Sequence, residues 1–154
     1  MAADQSRKQY LSPRTPFYYS NPLLGKGPVN VMISGFIPQG AESFATINLA
    51  DGSEFPAISI PFHLSIRPKH QELVRNSYDK EKWGSEERGL TSEGFPLQFG
   101  ARFDLILQIN ADGITATING VQAFKWAHRL DAQRINLFEV HGAIFLESVC
   151  FDYL

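Results

Sequence analysis

The fold of this chain is decided by the stretch Ile58-Ser59-Ile60-Pro61-Phe62-His63-Leu64-Ser65-Ile66-Arg67. Its even positions are all apolar, whereas most of its odd positions are polar. Because successive side chains of a β-strand point to opposite faces, this alternation predicts a strand with one buried and one exposed face. A slip of one residue would put every apolar side chain of the strand in water, so its register is strongly specified. The exposed face would carry His63, Ser65 and Arg67 together.

The rest of the chain predicts further short strands. Alternating apolar residues over 103–109 and over 114–118 predict two strands, and a third follows over 121–126. Asn119-Gly120, between the last two, favours a two-residue hairpin because both residues tolerate positive φ. Two more strands are predicted over 135–140 and 143–151, and their nearly continuous apolar character indicates burial between layers. The best helix candidate, residues 127–133, is too short to organise a fold.

Many short strands joined by polar turns predict an all-β sandwich or barrel. The length of 154 residues fits one domain, and the absence of an internal repeat indicates one sandwich and not two. Residues 1–20 are polar and contain Pro13 and Pro16, so we expect a flexible amino-terminal extension, with a polyproline ligand as the alternative. The domain itself is then expected over residues 21–154.

Composition excludes several classes of function. A net charge of −2 provides no broad positive field for nucleic acid. No apolar run approaches the ~20 residues that a membrane-spanning helix needs, and no signal peptide is recognisable, so we expect synthesis in the cytosol and no membrane insertion. The single cysteine, Cys150, has no partner for an internal disulfide and is expected to be a buried, unreactive thiol.

The sequence offers no pattern typical of an enzyme. It contains no nucleophile elbow, phosphate-binding loop or dinucleotide fingerprint. Glu86 and Glu87 are the most obvious carboxylate pair, but adjacent side chains of a strand face opposite ways and cannot flank one bond. Zinc-motif spacing is also lacking among the four histidines, His63, His70, His128 and His141. We therefore predict no catalytic residue, no metal and no cofactor.

One constellation of polar residues with an aromatic suits a sugar. Its members are His63, Ser65 and Arg67 on one strand face, Asn76 in the next strand, and Trp83, Glu86 and Arg88 beyond it. An indole plane covers the C–H face of a sugar well, and the sugar hydroxyls need donors and acceptors at fixed positions. Two flanking arginines would keep Glu86 ionised and oriented. The alternative is a surface salt-bridge network beside a half-exposed tryptophan.

The spacing of these residues resembles the signature of the galectins. In that family a strand with His-x-Asn-Pro-Arg is followed by Val-x-Asn and then by Trp-Gly-x-Glu-x-Arg. The corresponding segments here are His63-Leu64-Ser65-Ile66-Arg67, Val74-Arg75-Asn76 and Trp83-Gly84-Ser85-Glu86-Glu87-Arg88. Further similarity lies in Gly35-Phe36-Ile37, Ser43-Phe44 and Phe138-Glu139-Val140-His141-Gly142, so the resemblance covers about residues 25 to 154.

The resemblance implies a jelly-roll sandwich of two antiparallel sheets, concanavalin- or galectin-like, with the sugar on the concave sheet. The implied ligands are β-galactosides such as lactose and N-acetyllactosamine on glycoproteins or glycolipids. By the same resemblance, His63 and Arg67 would bind the 4-hydroxyl of galactose, and Asn76 and Glu86 the 6-hydroxyl. Trp83 would stack on the apolar face, and Glu86 with Arg88 would contact the adjoining sugar.

Two departures from the family pattern affect this expectation. Ser65 takes the place of asparagine among the sugar contacts, and Ile66 takes the place of proline. Serine offers a hydroxyl instead of a longer amide, so we expect galactoside binding that is weaker than, or shifted from, the family norm. The alternatives are a galectin-like protein-interaction module with weak or altered glycan binding and, more remotely, a glycan-processing enzyme.

Cross-linking of glycans needs two binding sites, whereas this chain supplies one. We therefore hypothesise a homodimer, formed through terminal strands as in some galectins. The expected location is the cytoplasm, with an extracellular location reached by a signal-peptide-independent route as the further alternative.

Overall fold

The computed structural model describes residues 6–53 and 59–154, and within these ranges it contains twelve strands and three short 3-10 helices. The strands are β1 Arg7–Leu11, β2 Phe17–Ser20, β3 Val29–Phe36, β4 Ala45–Asp51, β5 Ser59–Arg67, β6 Glu72–Asp79, β7 Lys82–Trp83, β8 Phe103–Ile109, β9 Gly113–Ile118, β10 Val121–Ala127, β11 Leu137–Gly142 and β12 Phe145–Tyr153. The 3-10 helices span Pro22–Gly25, Pro68–His70 and Ala132–Arg134.

The strands form two six-stranded antiparallel sheets. The first sheet has the order β1-β12-β3-β8-β9-β10, and the second sheet has the order β2-β11-β4-β5-β6-β7. Apolar side chains from both sheets fill the space between them, among them Phe62 and Phe138 of the second sheet and Phe103 and Phe151 of the first. The predicted sandwich of two antiparallel sheets is confirmed.

Strand β5 has the predicted alternation over most of its length. Phe62, Leu64 and Ile66 are fully buried, and the side chains between them lie on the outer face of the second sheet. The pattern breaks at Ile60, which is only half-buried, because the pairing with β6 shifts between Ile60 and His63 and buries Pro61 instead. A proline cannot donate to the ladder, and such irregularities are where sheets accommodate it. Ile58 lies outside the described residues.

The hairpin β9–β10 also follows the sequence. Asn119 and Gly120 adopt φ values of 49° and 82°, which is the conformation that a two-residue hairpin turn requires. The predicted apolar faces of β8 and β9 are buried, as is Trp126 of β10. The helix candidate over residues 127–133 contributes only the 3-10 turn Ala132–Arg134.

Burial on both faces was the wrong prediction for the last two strands. In β11, Phe138 and Val140 are buried, whereas Leu137, Glu139 and His141 are partly exposed, and β12 also buries mainly one face. The strands also extend from residue 137 to 142 and from 145 to 153, later than predicted. In a two-layer sandwich each sheet has only one covered face, so the polar side chains of β11 lie on the outer face.

The expectation of a flexible extension over residues 1–20 needs correction for the part that the structure describes. Strand β1 pairs with β12 at the edge of the first sheet, and β2 pairs with β11 in the second sheet. Phe17 and Tyr19 are buried, and the Tyr19 ring stacks on Phe151 with a centroid distance of 3.8 Å. Phe17 and Tyr19 alternate with the exposed Tyr18 and Ser20, which is the pattern of a strand that buries one face.

Two smaller expectations concern thiol chemistry and membranes. Cys150 is buried as predicted, and its Sγ accepts a hydrogen bond of 3.1 Å from Arg7 Nε. Within the described ranges, no helix has the length and apolar composition needed to cross a bilayer.

Candidate functional site

The outer face of the second sheet brings together the polar residues that the sequence analysis singled out. His63, Ser65 and Arg67 lie on this face of β5, opposite the buried Phe62, Leu64 and Ile66. Register places His63 beside Asn48 of β4 and Asn76 of β6, so these three side chains form one row across the sheet. Sequence alone predicts the alternation within each strand, but the row exists only because the three strands pair in this register.

Trp83 stands at the end of this row and is 51% exposed. It belongs to the two-residue strand β7, where it pairs with Tyr78 of β6. Its ring lies 4.7 Å from the His63 ring and 5.0 Å from the Tyr78 ring, measured between centroids. These contacts hold a large aromatic ring beside the polar row while leaving half of its surface free. Strand β7 ends at Trp83, directly before Gly84.

The segment after Trp83 is held by Arg129, a residue that the sequence analysis missed. Its guanidinium donates to Asn76 Oδ1 at 3.1 Å, to the Ser85 carbonyl at 2.6 Å and to Glu87 at 2.8 Å. A Cβ atom on Gly84 would lie 2.7 Å from Arg129 Nη1, so any other residue would displace this guanidinium. The guanidinium also packs on the ring of Trp126, at 4.4 Å from its centroid. No sequence motif marks Arg129.

These contacts also fix the orientation of Asn76, which is 5% exposed. Its Oδ1 accepts from the Ser77 backbone N–H at 2.8 Å and from Arg129, and its Nδ2 donates to the Gly84 carbonyl at 3.0 Å. An amide nitrogen has two hydrogens. The second hydrogen is therefore available as a donor of defined position.

Glu86 lies between two arginines, as predicted. It is hydrogen-bonded to Arg88, and Arg67 Nη2 lies 3.9 Å from Glu86 Oε1. The hydrogen bond from Arg88, and the positive charges of Arg88 and Arg67, hold the pKa of Glu86 below its usual value. Arg88 also pairs with Glu72. Exposed ion pairs contribute little to stability, so the main effect of this network is to keep an ionised acceptor in place.

Glu87 has a different partner from Glu86. It bonds to Arg129 and not to the Arg67–Arg88 pair. The two adjacent carboxylates therefore do not face a common bond, although Glu86 and Glu87 lie outside the named strands and are separated by their different arginine partners.

Arg67 is supported by two residues. Its Nε donates to Ser65 Oγ at 3.1 Å, and its guanidinium packs over the Phe44 ring at 4.6 Å from the centroid. Ser65 is 3% exposed, so its hydroxyl serves mainly to orient Arg67. Phe44 was noted only as a point of resemblance, because the contact needs β4 and β5 to be paired.

The surroundings of His63 favour the neutral form of its ring. Burial of the ring and the nearby charge of Arg67 lower its pKa below the usual value, and the negative charge of Glu86 opposes them. Its Nδ1 lies 2.7 Å from Asn48 Oδ1. A neutral imidazole carries one donor and one acceptor nitrogen, which is what a sugar hydroxyl group requires of a partner.

Among residues 6–53 and 59–154, no group of three or more His, Cys, Asp or Glu side chains is arranged to hold a metal ion. The site combines an exposed indole, a neutral imidazole, an oriented amide, a carboxylate and two guanidinium groups. Such a set can bind a polar molecule with one apolar face and can form directional hydrogen bonds to its hydroxyls.

Comparison with known proteins identifies the family of this chain. The family model for galactoside-binding lectins matches residues 25–151. The chain belongs to the galectin family. Human galectin-7 is 35% identical over 117 residues, which cover 76% of this chain and 82% of that protein. Bovine galectin-4 is 39% identical over 121 residues, which cover 77% of this chain.

Solved structures show the same fold. Sheep galectin-11, in a complex with glycerol, superposes with a TM-score of 0.79 at 21% identity and covers 91% of this chain and 99% of that one. A galectin from Caenorhabditis elegans superposes with a TM-score of 0.79 at 20% identity and covers 94% of this chain and 96% of that one. The present chain spans only about a third of the length of its galectin-4 relatives, 34% of the bovine and 35% of the human protein. Galectins are non-enzymatic lectins, so the prediction that the chain is not an enzyme is confirmed.

Proposed function

We propose that this galectin binds β-galactosides of the lactose and N-acetyllactosamine type, without covalent chemistry, on the outer face of the second sheet. The observation that carries the proposal is the half-exposed Trp83 ring beside the His63 ring, with polar groups on both sides. The apolar face of galactose stacks on the indole, and the sugar hydroxyls are bound by the residues around it.

Each polar group has a role that fits its geometry. His63 and Arg67 bind the 4-hydroxyl, and Ser65 acts with them through its bond to Arg67. Asn76 and Glu86 bind the 6-hydroxyl, since the amide offers one free donor and the ionised carboxylate is an acceptor. Glu86 and Arg88 contact the adjoining sugar. A sugar with an equatorial 4-hydroxyl would leave His63 and Arg67 unpaired, which is the physical basis for preferring galactose.

The proposal is tested by calorimetric titration of the protein with lactose. Trp83→Ala removes the stacking surface and is expected to weaken binding by roughly tenfold or more, because burying and stacking an indole contributes on the order of 2 kcal/mol. The matched control is Phe145→Ala, since Phe145 is a similarly exposed aromatic (59%) on the first sheet. This control is expected to bind lactose like the unmodified protein.

The alternative function is a galectin-like protein-interaction module with weak or altered glycan binding. The observation behind it is the nearly buried Ser65, which supplies a hydroxyl used by Arg67 where the family pattern has a longer amide. Absence of binding at millimolar lactose, followed by unchanged Trp83 fluorescence across a panel of glycans, would favour this alternative.

A homodimer is part of the proposal, because glycan cross-linking needs two sites. Strand β1 forms the outer edge of the first sheet in the described residues, and all of its residues are exposed. An exposed edge strand is a template for pairing with another edge. Two copies that pair along β1 would join their first sheets and carry their sugar sites apart.

A further inference from the structure

A chain of polar side chains leads from His63 away from Trp83, across β4 to β11. Asn48 Oδ1 lies 2.7 Å from His63 Nδ1, and Asn48 Nδ2 donates to Glu139 Oε2 at 3.1 Å. His141 Nε2 lies 3.4 Å from the same carboxylate oxygen. Asn48, Glu139 and His141 have no role in the sugar contacts proposed above.

The carboxylate of Glu139 decides which way the Asn48 amide is turned. An ionised carboxylate only accepts hydrogen bonds, so the NH2 group of Asn48 must face it. The amide oxygen then faces His63 Nδ1, and because this oxygen also only accepts, Nδ1 must carry the ring hydrogen. In the neutral ring the other nitrogen, Nε2, is left as an acceptor. The tautomer of His63 thus follows from a group two strands away.

We propose that Glu139 is a positioning residue that, through Asn48, holds His63 in the Nδ1–H tautomer and so makes Nε2 an acceptor for a sugar hydroxyl. This inference rests on the proposed function for its consequence in binding. The tautomer itself is a property of the free protein.

The burial of these hydrogen-bonded side chains favours a fixed orientation of the Asn48 amide. Asn48 is 7% exposed, and the side chain of Glu139 is 14% exposed, so solvent competes little for their bonds. The charged groups that act on His63 are Arg67 on its own strand and Glu86 beyond β6. On the far side, Glu139 is approached by His141, whose ring in turn contacts Tyr18 of β2 at 5.4 Å between centroids.

The test is long-range ¹H–¹⁵N NMR of the histidine rings in the free protein, because the two tautomers have distinct ¹⁵N shifts. The unmodified protein is expected to show His63 with a protonated Nδ1 and an unprotonated Nε2 at pH 7.5. In Glu139→Gln the new amide can face Asn48 with either end, so Asn48 can turn and both tautomers are expected. Glu147→Gln is the matched control, since Glu147 is an exposed glutamate of the first sheet.

Two spectral outcomes would overturn the proposal. One is an unmodified protein whose His63 carries its hydrogen on Nε2. The other is an unchanged Nδ1–H tautomer in Glu139→Gln. Asn48→Leu, which offers no acceptor at similar size, provides a second variant and is expected to lose the Nδ1–H preference.

Lactose titration of the same variants tests the consequence for binding. Glu139→Gln is expected to weaken lactose binding about three- to tenfold, the effect of one misdirected hydrogen bond, with no change in Glu147→Gln. A shifted tautomer with unchanged affinity would overturn the role in sugar binding. If the unmodified protein does not bind lactose, the proposed function fails, whereas the NMR result still decides whether Glu139 positions His63.

Discussion

At the scale of single residues, Ser65 is one of the two departures from the galectin pattern, and it lies among the proposed sugar contacts. Its hydroxyl accepts from Arg67 Nε and is almost fully covered by neighbouring residues. It therefore supports an arginine that contacts the sugar in the proposed complex, but it is too short to add an amide contact of its own. The serine preserves the geometry of Arg67 and forgoes one hydrogen bond to the ligand.

Ser65→Asn is expected to tighten lactose binding. The amide oxygen can still accept from Arg67, and the amide nitrogen adds a donor, a gain of about 0.5–3 kcal/mol, or roughly twofold to a hundredfold in the dissociation constant. Calorimetric titration measures the change. Ser65→Ala is the comparison variant, which removes the acceptor and should weaken binding. An unchanged or weaker affinity in Ser65→Asn would contradict the assignment of this position to the sugar site.

His63 gives the site a pH dependence of defined sign. Its pKa lies below the usual value of about 6.5 because burial and Arg67 disfavour the charged ring. A lowered pKa in the folded state contributes stability that is present above pH 6.5 and is lost as the pH falls through the folded value. The free energy of unfolding should therefore fall more steeply for the unmodified protein than for His63→Gln between pH 7.5 and 5.

Urea denaturation at several pH values measures this difference. The other three histidines are common to both proteins, so the comparison isolates the effect of His63. Lactose binding should weaken over the same range, since protonation turns the acceptor nitrogen into a donor. Parallel stability curves for the two proteins would mean that the folded pKa of His63 is not lowered.

At the scale of elements, strand β2 shows that the amino-terminal segment is part of the sandwich. Its residues alternate between buried Phe17 and Tyr19 and exposed Tyr18 and Ser20. The Phe17 ring contacts Phe138 of β11 at 6.1 Å between centroids, and Tyr19 contacts Phe151 of β12. The strand therefore closes the core at one edge of the second sheet.

Phe17→Ala is expected to lower the free energy of unfolding by about 3 kcal/mol, since it removes a large buried side chain and leaves a cavity. Tyr18→Ala, the adjacent exposed aromatic, is expected to change it by less than about 1 kcal/mol. Denaturant unfolding of the two variants provides the measurement. Equal, small effects would show that β2 is not integrated in the core.

At the scale of the whole molecule, the number of sugar sites per assembly determines whether the protein can cross-link glycans. The proposed dimer along β1 predicts a mass of twice 17.3 kDa by light scattering at the concentrations used for titration. It also predicts that the protein agglutinates particles coated with a β-galactoside. A mass of 17.3 kDa under these conditions would remove the dimer from the proposal but leave the sugar site intact.

Much of the fold is predictable from sequence because it depends on local periodicity. The alternation in β5, β8 and β9 predicts which face is buried, and Asn119-Gly120 predicts its hairpin. The predictions that were wrong also have a physical explanation. Residues 135–151 are apolar enough to suit burial on both faces, and only the two-layer architecture shows that one face is outside. In the amino-terminal segment, four residues of alternation were too short a signal against a polar background.

The residue types of the candidate site can be predicted from local sequence, because three motif segments carry them in order. The residues that orient these side chains are brought to the site only by the tertiary structure. Asn48 is 15 residues from His63, Glu139 is 91 from Asn48, and Arg129 is 53 from Asn76. Such pairs meet only when strands pair in one register, and local patterns carry no record of which distant strand will be the neighbour. The orientation of a histidine ring and of two amides is therefore a property of the folded sheet.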